Sequence, residues 1–251
     1  MSVPLDFLIE VAKGKVTGHS IINKFGRNPD IDAGFEALWN GGGFYTGFNA
    51  TTAETLEIAS SDVNDTAAGT GARKVIISGL LDENYNQMDD VEITLNGTTN
   101  VSLGSQTYIR ASRMKVIEAG SVGSNIGTLT LRHTTTTANI FAVMPIGYNQ
   151  TMIAAFTIPN HHEGLLLDWF AATSKKQAAF CNVRLVMRNF GGVFQVKEEM
   201  TASTTGTSVP IRSYTLPKNN LTAKTDIYIE SDTDTVNMGV AGGFDLLMYK
   251  V

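Results

Sequence analysis

One short stretch of the sequence holds side chains that could bind a metal ion or transfer protons, namely His161, His162 and Glu163. Neighbouring residues of a strand point to opposite faces of a sheet, so the two histidines cannot both bind one metal from regular β structure. A catalytic zinc ion takes three protein ligands, and the other histidines, His19 and His133, lie far away in sequence. We therefore interpret this stretch as a polar turn between two apolar segments.

A second candidate is an acidic stretch in which Asp82, Asn84 and Asn86 alternate with other residues, as the first ligands of a calcium loop do. An EF-hand loop requires glycine at its sixth position and glutamate at its twelfth. Here those positions hold Gln87 and Ile93, and apolar β-type segments flank the stretch. A polar hairpin loop is the favoured interpretation, with an irregular calcium site as the alternative.

The glycines Gly69 and Gly71 resemble the beginning of a phosphate-binding loop, but the Gly-Lys-Ser/Thr ending is missing and a strand pattern follows. The sequence also lacks the Gly-x-Ser-x-Gly motif of serine hydrolases. We therefore expect no enzymatic activity, no cofactor and no bound metal. A hydrolase acting through dispersed carboxylates or through the His161–His162 turn is an open alternative.

The amino-acid composition excludes several classes of protein. The chain has 251 residues, a charged fraction of 17% and a formal net charge of -5, with Cys181 as its one cysteine. No apolar run reaches the ~18 residues of a membrane span, so we expect no membrane partner. Nucleic-acid binding requires clustered lysine and arginine, which an acidic chain without a basic tract does not offer. A single cysteine excludes an intrachain disulfide.

Residues 44–251 carry the pattern of a β protein. Short segments such as Val91–Leu95 alternate apolar and polar residues and end at turn signals such as Asn96-Gly97. The apolar segment Gly164–Thr173 fits a β-hairpin better than a helix, and Thr201–Ser208 is typical of an exposed loop. We therefore predict an all-β fold, a β-sandwich of jelly-roll-like, Greek-key type.

Residues 1–43 differ from this body and predict an N-terminal arm. Pro4–Ala12 has the apolar spacing of a short amphipathic helix, and no sustained period follows it. Either the segment extends to a partner as an irregular arm, or it wraps around its own domain. If it is an arm, its apolar residues are the partner-docking candidates: Leu5, Leu8, Ile9, Ile21, Ile22, Phe25, Phe35, Leu38 and Trp39.

Several segments resemble uncharacterised structural proteins of tailed-phage particles. The longest is GTGARKVIISGLLDENYNQMDDVEITLNGTTNV, residues 69–101, with a Gly-Thr-Gly-Ala-Arg turn followed by a strand and by Leu-Asn-Gly-Thr. Residues 119–129, 190–201 and 241–247 also match the pattern of that family. The matching motifs are turns and strands, so the resemblance implies a virion component without a catalytic role.

Together these observations predict a structural protein of the virion that forms homo-oligomers. We expect a head decoration or cement protein whose arm docks on the major capsid protein, or a tail or ring accessory protein that docks on tail proteins. The alternative is a receptor- or glycan-binding module of a virion. The aromatic residues Tyr45, Phe48, Tyr148 and Trp169 would then stack on sugars.

Overall fold

The computed structural model describes the backbone of residues 4–174, 178–205 and 211–251, and the side chains of residues 7–174, 178–205 and 220–251. It is nearly all β, with one α-helix, α1 (Pro4–Ala12), and one short 3-10 helix (Thr46–Asn49) in the described ranges. The predicted all-β class and the predicted N-terminal helix are confirmed. No helix in the described ranges has the length and apolar character needed to cross a bilayer.

Sixteen strands are present in the described ranges. They are β1 (His19–Ile31), β2 (Glu36–Ala37), β3 (Leu56–Ser60), β4 (Ala72–Ser78), β5 (Val91–Thr94), β6 (Val101–Ser102), β7 (Arg113–Ala119), β8 (Leu129–His133), β9 (Ile140–Met144), β10 (Ala155–Thr157), β11 (His162–Ser174), β12 (Phe180–Arg188), β13 (Gln195–Ser203), β14 (Ile211–Leu221), β15 (Asp226–Thr233) and β16 (Met238–Lys250).

Eight of these strands form a jelly roll. One sheet has the order β1-β16-β11-β14 and the other β10-β15-β12-β13, and the short β2 also pairs with β15. Counted along the chain, the first of the eight strands therefore pairs with the eighth, the second with the seventh, the third with the sixth and the fourth with the fifth. All four pairs are antiparallel. This wrapping of two sheets is the jelly-roll topology, which confirms the predicted sandwich.

The core of the jelly roll lies between its two sheets, and β11 illustrates how the sequence fills it. Leu166, Trp169 and Ala171 of this strand are all buried. Opposite β16, a register shift between Leu166 and Asp168 inserts one extra residue into β11. The buried residues Leu166 and Trp169, on the two sides of the shift, are therefore three positions apart instead of two or four. The segment Gly164–Thr173 is thus part of one long strand and not a hairpin.

The remaining seven strands form a second β unit, here called the insert (residues 44–153). Its sheets have the orders β6-β3-β8-β9 and β5-β4-β7, and its apolar residues form a second core, which Ala155, Val186 and Tyr228 of the jelly roll join. The insert leaves the jelly roll after the first strand, β1, and returns to it at the second, β10. The described side chains therefore pack into two hydrophobic cores.

The segment predicted as an irregular arm contains a regular strand, which corrects the sequence-based expectation. β1 pairs with β16 from His19, opposite Tyr249, to Ile31, opposite Met238. Three of its four buried positions carry Lys24, Gly26 and Asn28, so the apolar alternation that marks most strands is absent. Whether residues 1–43 and 44–251 are separate domains stays a prediction.

The predicted loop Thr201–Ser208 is also partly a strand. Residues Thr201–Ser203 complete β13, and Ala202 is buried in the jelly-roll core. Thr204 and Thr205 follow as a bend, and residues 206–208 lie outside the described residues. The small polar residues of this stretch favour a loop, but their pairing with β12 places them in the sheet.

Candidate docking surface

Leu38 and Trp39, two of the predicted docking residues, are part of the protein's own interior. Leu38 donates its backbone N–H to the carbonyl oxygen of Ile229 at 2.9 Å, and its side chain packs in the jelly-roll core. The Trp39 indole N–H donates to the carbonyl oxygen of Gly42 at 2.9 Å, while its ring packs in the insert core. The docking prediction is therefore wrong for this pair. The two apolar residues lack a helical or strand period because they fill the junction between the two hydrophobic cores.

Four further candidates lie half-buried on the body. Phe25 lies under the Arg113 guanidinium at 5.2 Å, and Phe35 lies under that of Arg184 at 3.5 Å. Ile22 packs against the jelly-roll core, and Ile21 is partly covered on the same strand. These side chains therefore have intramolecular neighbours and offer only part of their surface to a partner.

The helix α1 lies against the jelly roll through a line of aromatic rings. Phe7 meets His19 edge-on at 5.6 Å between ring centroids, and His19 stacks on Tyr249 at 6.0 Å. The Tyr249 hydroxyl donates to the Glu163 carboxylate at 2.7 Å, and this hydrogen bond raises the pKa of Tyr249. Val11 is buried at the same end of the chain. The helix is thus held by its own body at one side.

Among the predicted docking residues whose side chains the structure describes, this attachment leaves Ile9 the most exposed. Its side chain is 39% exposed, whereas Leu8 is half-buried. The Leu5 side chain lies outside the described side chains. The next residue, Glu10, forms ion pairs with Lys13 at 3.0 Å and Lys15 at 3.2 Å.

Exposed apolar residues that were not predicted from the sequence lie on neighbouring segments of the insert, and this set is here called the insert patch. It consists of Ile117, Val122, Ile146 and Tyr148. Ile146 is 62% exposed, and the Tyr148 hydroxyl accepts a hydrogen bond from the Arg27 guanidinium in β1 at 3.4 Å. These residues come from three separate segments of the chain, so the sequence gives no signal that they lie close together.

Two asparagines hold the loops of the insert patch in place. The Asn125 backbone N–H donates to the Asn149 side-chain oxygen at 3.1 Å, and the Asn149 N–H donates to the Asn125 side-chain oxygen at 3.1 Å. The Asn149 side chain also donates to the carbonyl oxygen of Gly123 at 3.0 Å. The backbone N–H of Val116 in β7 donates to the Asn149 carbonyl at 2.8 Å. These bonds join the three segments that carry the patch.

A second missed surface lies at the free edge of the jelly roll. β13 is the last strand of its sheet, and Phe190, Val193 and Val196 are exposed in it or in the loop before it. The exposed fraction of Val193 is 74%. Unpaired edge strands with apolar side chains are ready to pair with another chain.

The residues that suggested metal or phosphate chemistry serve local structure. His161 adopts a positive φ of 59° in a turn, and His162 contacts the carbonyl oxygen of Asn160 through Nδ1 at 2.9 Å. One Asp82 carboxylate oxygen accepts the backbone N–H groups of Asn84 and Asn86, both at 2.8 Å. No group of three potential metal ligands occurs in the described part of the chain.

The glycine pair before β4 forms the predicted turn. A side chain at Gly71 would lie 2.2 Å from the Asp65 carboxylate, which accepts the N–H of Ala72 at 2.7 Å. The turn is thus built around a buried carboxylate, and the carboxylate takes the place that a phosphate would have in a phosphate-binding loop.

Most of the aromatic residues proposed for sugar stacking are inaccessible. Tyr45, Phe48 and Trp169 are buried, and the Tyr45 hydroxyl donates to the carbonyl oxygen of Phe141 at 2.9 Å. Burial raises the pKa of Tyr45. Tyr148 keeps an accessible ring, so the prediction of a stacking surface is wrong for the other three.

Comparisons with known proteins add little to this picture. No family model matches the chain, and no curated protein matches it. Among solved structures, an infectious bursal disease virus VP2 subviral particle is 10% identical with a TM-score of 0.21, covering 98% of this chain and 78% of that one. The Gt strain of the same virus gives 10% identity and a TM-score of 0.20, covering 92% and 75%. At such TM-scores the likeness carries no argument.

Proposed function

We propose that the chain is a structural subunit of a tailed-phage particle, and that it decorates the head. The observation that carries this proposal is the jelly-roll topology with a second β unit between its first two strands. Jelly rolls build many viral capsid and lectin domains. Because a fold alone does not fix function, the resemblance of residues 69–101 to phage structural proteins supplies the second support.

The surface of the molecule supports a role in assembly. Ile9, the insert patch and the edge of β13 expose apolar side chains on different elements. Exposed apolar surface marks sites of protein interaction. We assign the contact with the major capsid protein to α1, through Ile9, and expect further copies of this chain to meet at the other two surfaces.

A tail or ring accessory protein that docks on tail proteins is the second form of the same proposal. Both forms use apolar docking and differ in the symmetry of the neighbour. A net charge of -5 disfavours a position against packaged DNA, because phosphate contacts require clustered lysine and arginine. Copy number separates the forms, since a head decoration is present in far more copies than a ring.

The docking step can be tested by changing Ile9 to aspartate. The substitution places a charge at a contact from which we expect binding to exclude water. It should weaken binding of the purified chain to particles at least tenfold. Thr17→Asp is the matched control, because Thr17 is exposed and the variant adds the same charge outside α1. Co-sedimentation with particles that lack the protein measures both variants.

Deletion of residues 1–43 would not test docking, because it removes β1 from the jelly roll and exposes the core. Ile9→Asp avoids this problem, since the side chain is already partly in solvent. If Ile9→Asp and Thr17→Asp bind particles as tightly as the natural chain, α1 does not dock. If the natural chain itself does not sediment with particles, the proposed virion role fails.

A further inference from the structure

A cavity of about 310 Å³ lies where the insert meets the jelly roll. One wall comes from the jelly roll, with Ile22 and Lys24 of β1 and Phe156 of β10. The facing wall comes from the insert and includes Ser78 at the end of β4 and Arg113 at the start of β7. The cavity is in the size range of small-molecule sites and combines apolar walls with a few polar groups.

Lys24 is a buried cation on the wall of this cavity. Lys24 is 3% exposed, and its Nζ donates to the carbonyl oxygen of Ser112 at 2.5 Å. An ammonium group has three N–H donors, so one neutral acceptor leaves it incompletely satisfied. A buried charge without a counter-ion is costly in free energy. Burial is the larger cause that lowers the pKa of Lys24, and the nearby positive charge of Arg113 is the smaller one.

Two more cations line the cavity without an acidic partner. Arg113 donates to the carbonyl oxygen of Asn23 at 2.7 Å, and Lys115 follows on the same strand. In the described part of the chain, neither these two nor Lys24 form an ion pair. The concentration of unpaired positive charge is notable in a chain with a net charge of -5.

The other charged groups on the wall are already engaged. The Asp90 carboxylate accepts the Ser78 hydroxyl at 2.8 Å. Arg110 lies 3.5 Å from Asp226 and donates at 3.0 Å to the carbonyl oxygen of Ala50. The cavity therefore presents more positive than negative charge, and its free donors are those of Lys24, Arg113 and Lys115.

We propose that this cavity binds a small organic anion, with its carboxylate or phosphate group between Lys24 and Arg113. The oxyanion would accept the remaining Lys24 N–H donors and pair with the guanidinium, which suits flat oxyanions in particular. An apolar portion of the ligand would lie against Ile22 and Phe156. The ligand would thereby hold the insert against the jelly roll.

Calorimetric titration of the full chain with three probes tests this proposal. Hexanoate carries a carboxylate and an apolar tail, inorganic phosphate carries the anion alone, and hexanol carries the tail without charge. We expect hexanoate or phosphate to bind and hexanol not to bind. Tighter binding of phosphate indicates a phosphate ligand, and tighter binding of hexanoate indicates a carboxylate ligand whose tail contacts the apolar wall.

Variants locate the binding site. Lys24→Met and Arg113→Gln should each weaken anion binding at least tenfold, because each loses a charge-assisted hydrogen bond. Lys197→Met is the matched control, since Lys197 is exposed on β13, outside the cavity. It removes the same charge and should bind as the natural chain does.

Two results overturn the proposal. One is that neither anion binds the natural chain at millimolar concentration. The other is that Lys24→Met and Lys197→Met bind equally well. If the cavity variants do not fold, NMR of the natural chain decides, because saturation with the anion must shift the carbon resonance next to Lys24 Nζ. An unmoved resonance overturns the proposal independently of any variant.

Discussion

Gly26 offers a sharp test of whether β1 belongs to the jelly roll. A Cβ added at this position would lie 1.9 Å from the Leu38 carbonyl oxygen and 2.4 Å from the Ala154 nitrogen. These two atoms are hydrogen-bonded to each other at 3.0 Å. The substitution Gly26→Ala would therefore drive a methyl group into a buried backbone hydrogen bond.

The expected cost follows from the size of this overlap. The added carbon falls roughly 1.5 Å short of the ordinary contact distance of about 3.5 Å, so the backbone must move. Overpacking of this kind costs about 1–3 kcal/mol, and breaking a buried hydrogen bond costs about 1–3 kcal/mol more. We expect Gly26→Ala to lose about 3 kcal/mol or more, which corresponds to roughly 6–12 °C in Tm for a chain of this size.

Gly123→Ala is the control for this measurement. Gly123 has a φ of +76° with nothing within 4 Å of the added carbon, so alanine there meets only backbone strain of about 1 kcal/mol. Guanidinium and thermal unfolding, followed by circular dichroism, give both free energies. If Gly26→Ala unfolds no more easily than Gly123→Ala, β1 does not pack against the Leu38–Ala154 hydrogen bond, and the description of the first strand is wrong.

Three further substitutions test other parts of the structure. The pKa of Lys24 in the folded chain is well below 10.5, so between that lowered value and 10.5 the unfolded chain holds a proton that the native state lacks. Stability of the natural chain should then rise with pH in this window, and urea unfolding at stepped pH should give a flatter profile for Lys24→Met. Asp65 accepts three backbone N–H groups and one hydroxyl in its turn, so Asp65→Asn should cost about 2–4 kcal/mol in calorimetry, and an unchanged Tm would refute the turn geometry. Trp169→Ala should lower the free energy of unfolding by about 3–5 kcal/mol. Phe170→Ala should cost clearly less, because Trp169 is fully buried and Phe170 is half-buried. Equal losses in urea unfolding would contradict the register shift in β11.

The fold class was predictable from the sequence because most strands keep a regular alternation and end at turn residues. Val91–Leu95 with its Asn96-Gly97 turn is an example, and Gly97 adopts the expected positive φ of 59°. The strand pairing was not predictable, because the first strand pairs with the last, from His19 to Tyr249 across nearly the whole chain. Local patterns contain no signal for such a contact.

The first strand was missed for a physical reason. Its inward side faces the junction with the insert, where a lysine, a glycine and an asparagine meet hydrogen-bonding groups and close backbone. The alternation of apolar and polar residues is therefore absent from β1, and the segment has the pattern of an irregular arm. The division into two β units was missed because both units have the same β-type composition.

The docking set was only partly predictable, because apolar residues without a period indicate burial without naming the neighbour. Leu38 and Trp39 are buried by their own chain, whereas Ile9 is partly exposed. The insert patch depends on loops joined by Asn125 and Asn149, which are 24 residues apart. Its residues share a surface through tertiary hydrogen bonds that the sequence does not display.

Cryo-electron microscopy of the phage particle, together with the copy number of this chain, tests the proposed virion role most directly. We predict density for a two-unit β subunit at symmetry-related positions on the outside of the head, with α1 against the major capsid protein. A small copy number at the tail would replace decoration by the accessory role. Purified particles that contain no copy of the chain would contradict the virion role altogether.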